Sequence, residues 1–259
     1  MAVQAGCGIG RGGSRHAVTL PKHVFWFVSA FCAAAWAEAS LAMEVTAVDD
    51  QIILSGPVIG GDLAKVRYAL SMNPNIRAVI LRNSPGGHIR AGYAVGNLFR
   101  QMGLRTAVSG YCYSSCSRMF LGGKERFFTD DYPLTMTEVG FHGHYRPDGR
   151  RRGLLDSQKV RDYGLKDWII KHSDGRADSN LVERWINIPV NVGLIHFFPV
   201  QIARERGVST FLCEHGPVAG SVFACERIDK SAIDLGIATS AELLRSNDHE
   251  SPRATFLNR

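Results

Sequence analysis

Three short stretches hold residues whose types and spacing could carry out acyl chemistry. Asn83-Ser84-Pro85-Gly86-Gly87 follows an apolar run. Its proline removes one donor and its glycines admit conformations closed to other residues, so backbone N–H groups can face a ligand at close range. Ser109-Gly110-Tyr111-Cys112-Tyr113-Ser114-Ser115-Cys116 follows a second apolar run. It places hydroxyls where a helix begins, and there free N–H groups and the helix dipole favour developing negative charge. Gly140-Phe141-His142-Gly143-His144 comes one strand later and offers an imidazole base. Each stretch alone has a plainer reading: a turn, an N-cap at Ser114, a surface histidine, or an adventitious H-x-H metal pair at His142 and His144. Their order, and their common position where strands end, argues for a joint role.

The elements that must position these residues are legible as a pattern. Glu44–Val48 and Gln51–Leu54 read as paired strands, Asp62–Met72 as a helix, Arg77–Leu81 as a buried strand and His88–Met102 as a helix stopped by Gly103. Arg105–Val108 reads as a strand, a helix follows from about Ser114 to Leu121, and Arg126–Phe128 and Met136–His142 read as strands. Repeated strand–helix–strand units predict a parallel sheet with right-handed crossovers. From Leu154 onward the chain reads as mostly helical, over 154–171, 178–187 and 193–206. A last strand and helix follow, Val222–Ile228 and Lys230–Leu235. One α/β domain spans 43–247, and residues 248–259 form a polar tail.

Arg11, Arg15 and Lys22 precede a 14-residue apolar run from Val24 to Ala37, and small residues follow to Ala42. This is the secretory pattern of basic region, short apolar core and small-residue exit, so residues 1–42 read as a signal peptide and the protein as periplasmic or secreted. The run falls short of the roughly 20 residues that span a bilayer, which disfavours an uncleaved anchor. No later stretch is long enough to stop transfer. Gly8-Ile9-Gly10-Arg11-Gly12-Gly13 satisfies the dinucleotide fingerprint but follows no strand, so it carries no nucleotide site. A net charge of +6 without a basic, aromatic-interleaved stripe excludes nucleic acid as the expected partner.

Four cysteines follow the leader: Cys112, Cys116, Cys213 and Cys225. An even count in an exported chain predicts disulfides, with a four-ligand zinc site as the rival. Cys213–Cys225 is the favoured pair, since it closes a short Gly/Pro-containing loop. On a regular helix Cys112 and Cys116 would hold their Cβ atoms about 5–6 Å apart, beyond a disulfide's roughly 3.5–4.5 Å. That pair therefore requires a distorted first turn.

Ser84-Pro85-Gly86-Gly87, then Gly110-x-Cys112-x-Ser114, then Gly122-Gly123, then Phe141-His142 together resemble the Clp protease/crotonase superfamily. Closest are its exported Clp-protease-like members, in which cysteines flank the serine. The resemblance covers roughly residues 45–145 by motif and runs more loosely to Gly236-Ile237. It implies a ClpP/crotonase-like ββα spiral, an α/β fold with a mainly parallel sheet and a helical C-terminal part, assembled as a homo-oligomer. By motif, Ser114 corresponds to the nucleophile, His142 to the general base, and the Gly87 and Ser115 amides to the oxyanion hole. Gly87 is expected to act through its backbone alone, so a side chain there should spare the fold. The third triad member is not identified: Glu183, Asn187 and Asn191 are in the expected region, with Asp174 and Asp178 earlier, and none lies in a motif. Tyr113 replaces the small residue usual before the serine, and Arg146–Arg152 reads as an inserted hairpin tip beside His142.

These residues point to an exported serine peptidase acting on a peptide or protein substrate by acyl-enzyme chemistry, without cofactor or metal. Two alternatives use the same fold. One binds a carbonyl non-covalently between the paired amides; the other is an inactive scaffold in which Ser114 only caps a helix.

Overall fold

The computed structural model describes residues 42–146, 148–151 and 164–248. Most of the proposed leader, residues 152–163 of the expected 154–171 helix and its approach, and most of the polar tail lie outside the described residues. The described chain holds ten strands and six helices in a mixed α/β arrangement.

β1 (Glu44–Val48) and β2 (Gln51–Ser55) form an antiparallel hairpin around Asp49-Asp50. β2 then pairs parallel with β3 (Ala78–Ser84), and β3 with β4 (Arg105–Tyr113). α1 (Asp62–Met72) and α2 (Ile89–Gln101) make the two crossovers. Period-2 alternation decides what these strands bury. Ile53, Ile80 and Ala107 stand in register across β2, β3 and β4 and form a small cluster with Phe127 and Leu244. Their neighbours Leu54, Leu81 and Val108 join the large core beneath the helices.

β4 forks. Its first half pairs with β5 (Arg126–Thr129) and its last three residues with β6 (Glu138–Phe141), both parallel. α3 (Ser115–Gly122) leaves from the tip of the fork. α2 and α3 approach at backbone contact: a Cβ on Gly92 would lie 2.4 Å from Ser115 O, and one on Gly122 would lie 2.2 Å from Gly96 O. The small residues of α2 thus set where the N-terminus of α3 stands. α4 (Leu165–His172) and α5 (Ser179–Ile186) follow, with Asp178 capping α5 through bonds from Asn180 N and Leu181 N.

The C-terminal part departs from the helical expectation. β7 (Leu194–Phe197), β8 (Thr210–Cys213) and β9 (Glu226–Ile228) extend the sheet antiparallel from β6, so the helix read over 193–206 shrinks to a short 3₁₀ turn and α6 (Ala203–Arg206). Val222–Ala224 is a 3₁₀ turn rather than strand, and the helix expected at Lys230–Leu235 is a run of turns. The sheet is accordingly mixed: parallel from β2 through β4 to β5 and β6, and antiparallel at β1–β2 and from β6 to β9. β10 (Leu243–Leu244) pairs with β5. The fully buried Arg126 fastens this last stretch, donating to the carbonyls of Gly123, Gly236 and Ile237 at 2.8–2.9 Å.

Both cysteine pairs are disulfides. Cys213–Cys225 closes as expected, with Cα atoms 5.2 Å apart. Cys112–Cys116 closes too, at 5.3 Å, because Cys112 lies on β4 and regular helix spacing does not apply.

Candidate active site

Ser114 occupies the one-residue turn between β4 and α3, at φ 55° and ψ −120°. A residue with a Cβ avoids that region, at a cost of order 1–3 kcal/mol. The surroundings hold it there. Ser114 N donates to Gly140 O at 3.1 Å, and Ser114 O accepts from Ser117 N at 3.1 Å, from Ser117 Oγ at 2.6 Å and from the Arg118 guanidinium. The Cys112–Cys116 disulfide ties the strand end to the first turn of the helix across it. Ser114 makes no side-chain capping bond, which removes the plain N-cap reading.

The Pro-Gly-Gly turn lies directly against this one. Val58 N donates to Gly86 O and His88 N to Val58 O, both at 2.8 Å, bracketing Gly87 at φ 141°. A Cβ on Gly86 would stand 2.7 Å from Ser114 Cβ and 2.9 Å from Ser115 N, so only glycine permits the approach. Among the described residues, neither Gly87 N nor Ser115 N has a backbone acceptor. A Cβ on Gly87 would fall 2.3 Å from Val58 O. The expectation that a side chain there spares the fold is therefore corrected: Gly87 has a structural as well as a site role.

Ser114, Gly87 and His142 all line one cavity of about 1110 Å³. His142 follows β6, is 7% exposed and stacks on Tyr145 with ring centroids 4.8 Å apart. Neither of its ring nitrogens has a hydrogen-bond partner among the described residues. Burial first, then the nearby Arg118 and His144 charges, push its pKa down to about 3, so the ring is neutral at pH 7. His144 Nε2 lies 3.0 Å from Tyr93 Oη, a bond that competes with the metal-pair reading. No group of three or more potential metal ligands occurs among the described residues.

None of the residues considered for a third triad position bonds to His142. Glu183 pairs with Lys166, Asp178 caps α5, Asn187 donates to Glu183 O, and Asp174 lies 4.0 Å from Arg126. Only Asn191 of that group borders the cavity.

Sequence reasoning missed a second histidine of this cavity. His196 on β7 stands opposite Gly140 of β6, which stands opposite Tyr113 of β4. A side chain at Gly140 would strike the Tyr113 ring at 2.8 Å; its absence lets that ring cross the sheet toward His196, with centroids 5.8 Å apart. Glu138 joins the two: Tyr113 Oη donates to Oε1, and His196 Nδ1 lies 2.6 Å from Oε2. The Tyr113 hydroxyl is thus held by a carboxylate, while the residue borders the cavity beside Ser114. Burial and that carboxylate raise its pKa above the ordinary range.

Apolar walls from Ile59, Ile89, Leu194 and Val222 complete the cavity, with Arg90 and Arg146 at its rim. Arg146 belongs to the expected hairpin tip: Arg146 N donates to Arg150 O at 2.8 Å, and Tyr145 bridges Arg151. No helix among the described residues is long and apolar enough to cross a membrane.

No family model matches the chain, and no curated protein matches its sequence. Among solved structures it is similar to a ClpP1 mutant from Listeria monocytogenes. The identity is 14% and the TM-score 0.41, over 52% of this chain and 78% of that one.

Proposed function

We propose that the protein is an exported serine hydrolase of peptide bonds. The observation that carries the reading is Ser114 in a strained strand-to-helix turn, set against the Gly86-Gly87 turn and sharing a cavity with Gly87 and two buried histidines. A serine hydroxyl needs a base to become a nucleophile. The motif resemblance points to His142 for that role, and His196 is the second buried histidine of the same cavity. The Gly87 and Ser115 amides would hold the oxyanion, each such donor being worth about 3–4 kcal/mol in serine proteases. The acyl-enzyme would then be released by water. Two disulfides support an oxidising compartment. Assembly as a homo-oligomer is part of the proposal, and sedimentation of the mature chain tests it.

One observation favours the non-covalent or inactive alternative: both His142 nitrogens are without partners, so no hydrogen bond joins His142 to Ser114. A fluorophosphonate probe decides. The hydrolase reading requires labelling that maps to Ser114 and disappears in Ser114→Ala. Folded protein that resists the probe, or labels elsewhere, overturns it.

A further inference from the structure

We infer that the acid–base residue of this cavity is His196, positioned by Glu138, and that His142 is a wall of the site. The inference rests on Ser114 being a nucleophile and deepens that reading.

A histidine becomes an effective base beside a serine when a carboxylate holds its other nitrogen, fixing the tautomer and stabilising the imidazolium that forms. Of the two buried histidines lining the cavity, His196 has such a partner. Glu138 Oε2 accepts at 2.6 Å from His196 Nδ1, which fixes the proton there and leaves Nε2 as the basic nitrogen. His196 Nε2 has no partner among the described residues, although the side chain is 2% exposed and borders the cavity. An unpaired imidazole nitrogen in such a place costs stability unless it serves a ligand. Glu138 is itself fixed, accepting on its other oxygen from Tyr113 Oη, and Tyr113 is the residue immediately before Ser114. His142 shows the opposite arrangement. Among the described residues no carboxylate meets either nitrogen, and Arg118 and His144 both oppose a positive charge on its ring.

The step balances within this set. Ser114 Oγ bonds to the substrate carbonyl carbon while its proton passes to His196 Nε2. The carbonyl π pair moves to the oxygen, which the Gly87 and Ser115 amides receive. Collapse of the intermediate breaks the C–N bond, and the Nε2 proton goes to the departing amine. Glu138 keeps its contact with Nδ1 throughout and acts as a positioning residue.

The test is fluorophosphonate labelling of the mature chain, with rates compared among His196→Gln, His142→Gln and Glu138→Gln. His196→Gln should slow labelling by about 10²–10⁴-fold, the usual worth of a general base, and His142→Gln by less than tenfold. Glu138→Gln should slow labelling more than tenfold, because nothing then holds the imidazole in the required tautomer, and Glu138→Asp should recover part of the rate. Since His196→Gln could fail to fold, His196→Ala with free imidazole provides a second readout: imidazole should restore labelling there and have no effect on His142→Ala. Normal labelling in His196→Gln, with loss in His142→Gln, overturns the inference and leaves the hydrolase reading intact. No labelling in the unsubstituted chain removes the nucleophile and overturns both.

Discussion

One guanidinium joins the serine turn to the histidine strand: Arg118 donates through Nη1 to Ser114 O and through Nη2 to His142 O. It is 2% exposed, and Nη1 also lies 2.9 Å from Ser117 Oγ. The planar fork spans the carbonyls of Ser114 and His142, which belong to two different segments, something a lysine's single ammonium does poorly. Arg118 therefore fixes the separation between the β4–α3 turn and the segment after β6.

Arg118→Met should cost about 3 kcal/mol, since hydrogen bonds to charged groups contribute roughly 1.5–3 kcal/mol. In a domain of this size that is about 6–12 °C in Tm. Labelling at Ser114 should fall more than tenfold, with Arg118→Lys intermediate on both measures. Thermal melts and probe kinetics on one preparation check this. An Arg118→Met chain that loses stability but labels at the normal rate would show the fork to be only structural.

The two disulfides should separate stability from activity. Chain entropy alone assigns about 2 kcal/mol to a loop as short as Cys112–Cys116 and about 3 kcal/mol to Cys213–Cys225. The shorter bridge spans Ser114, while the longer joins β8 to the segment before β9. Replacing Cys213 and Cys225 by serine should lower Tm more. Replacing Cys112 and Cys116 should cost more labelling, because the φ of 55° at Ser114 then relaxes. Non-reducing mass spectrometry with alkylation should find no free thiol among these four.

Acid should destabilise the protein through its histidines before its carboxylates. Burial lowers His142 from 6.5 to about 3 and His172 from 6.5 to about 4. The unfolded chain therefore binds more protons than the folded one between these values, and stability present above pH 6.5 is lost as pH falls. Each such group contributes about 1.4 kcal/mol per pH unit inside its window. Tm should decline from pH 6.5 to 4, and His142→Gln should flatten the decline. An unchanged slope in that variant would place a protonated His142 in the folded protein.

Local patterns made the N-terminal half legible. The strand 51–54, the helix 62–72 and the turns at Gly86-Gly87 and Ser114 each carry their signal within a few residues. What failed had non-local causes. Leu194–Phe197 is a four-residue strand without alternation, followed by an apolar run that continues into a real turn of helix, so its sequence fits a helical period equally well. The Glu138–His196 contact arises from the antiparallel register of β6 and β7 across 58 positions, and nothing near either residue announces it. The Cys112–Cys116 spacing forbids a bridge only on a regular helix, whereas Cys112 lies on β4 and the helix begins only at Ser115, three residues later.

Gly86 offers the sharpest test of whether the two turns act as one site. Its φ is 86°, and an added Cβ would meet Tyr113 O at 2.5 Å and Ser114 Cβ at 2.7 Å. Backbone cannot give way there as a flexible side chain would, so Gly86→Ala must push the Pro-Gly-Gly turn away from the serine turn. Overpacking of this kind costs about 1–3 kcal/mol, and loss of one oxyanion donor costs about 10²–10³ in rate. Gly103→Ala is the control. Gly103 has a similar φ of 66° with nothing within 4 Å of an added Cβ, so it should lose about 1–2 kcal/mol from left-handed strain alone. Gly86→Ala should therefore abolish labelling at Ser114 while Gly103→Ala, with a comparable drop in Tm, labels normally. If Gly86→Ala folds and still labels at the normal rate, the Gly86-Gly87 turn has no part in the chemistry at Ser114.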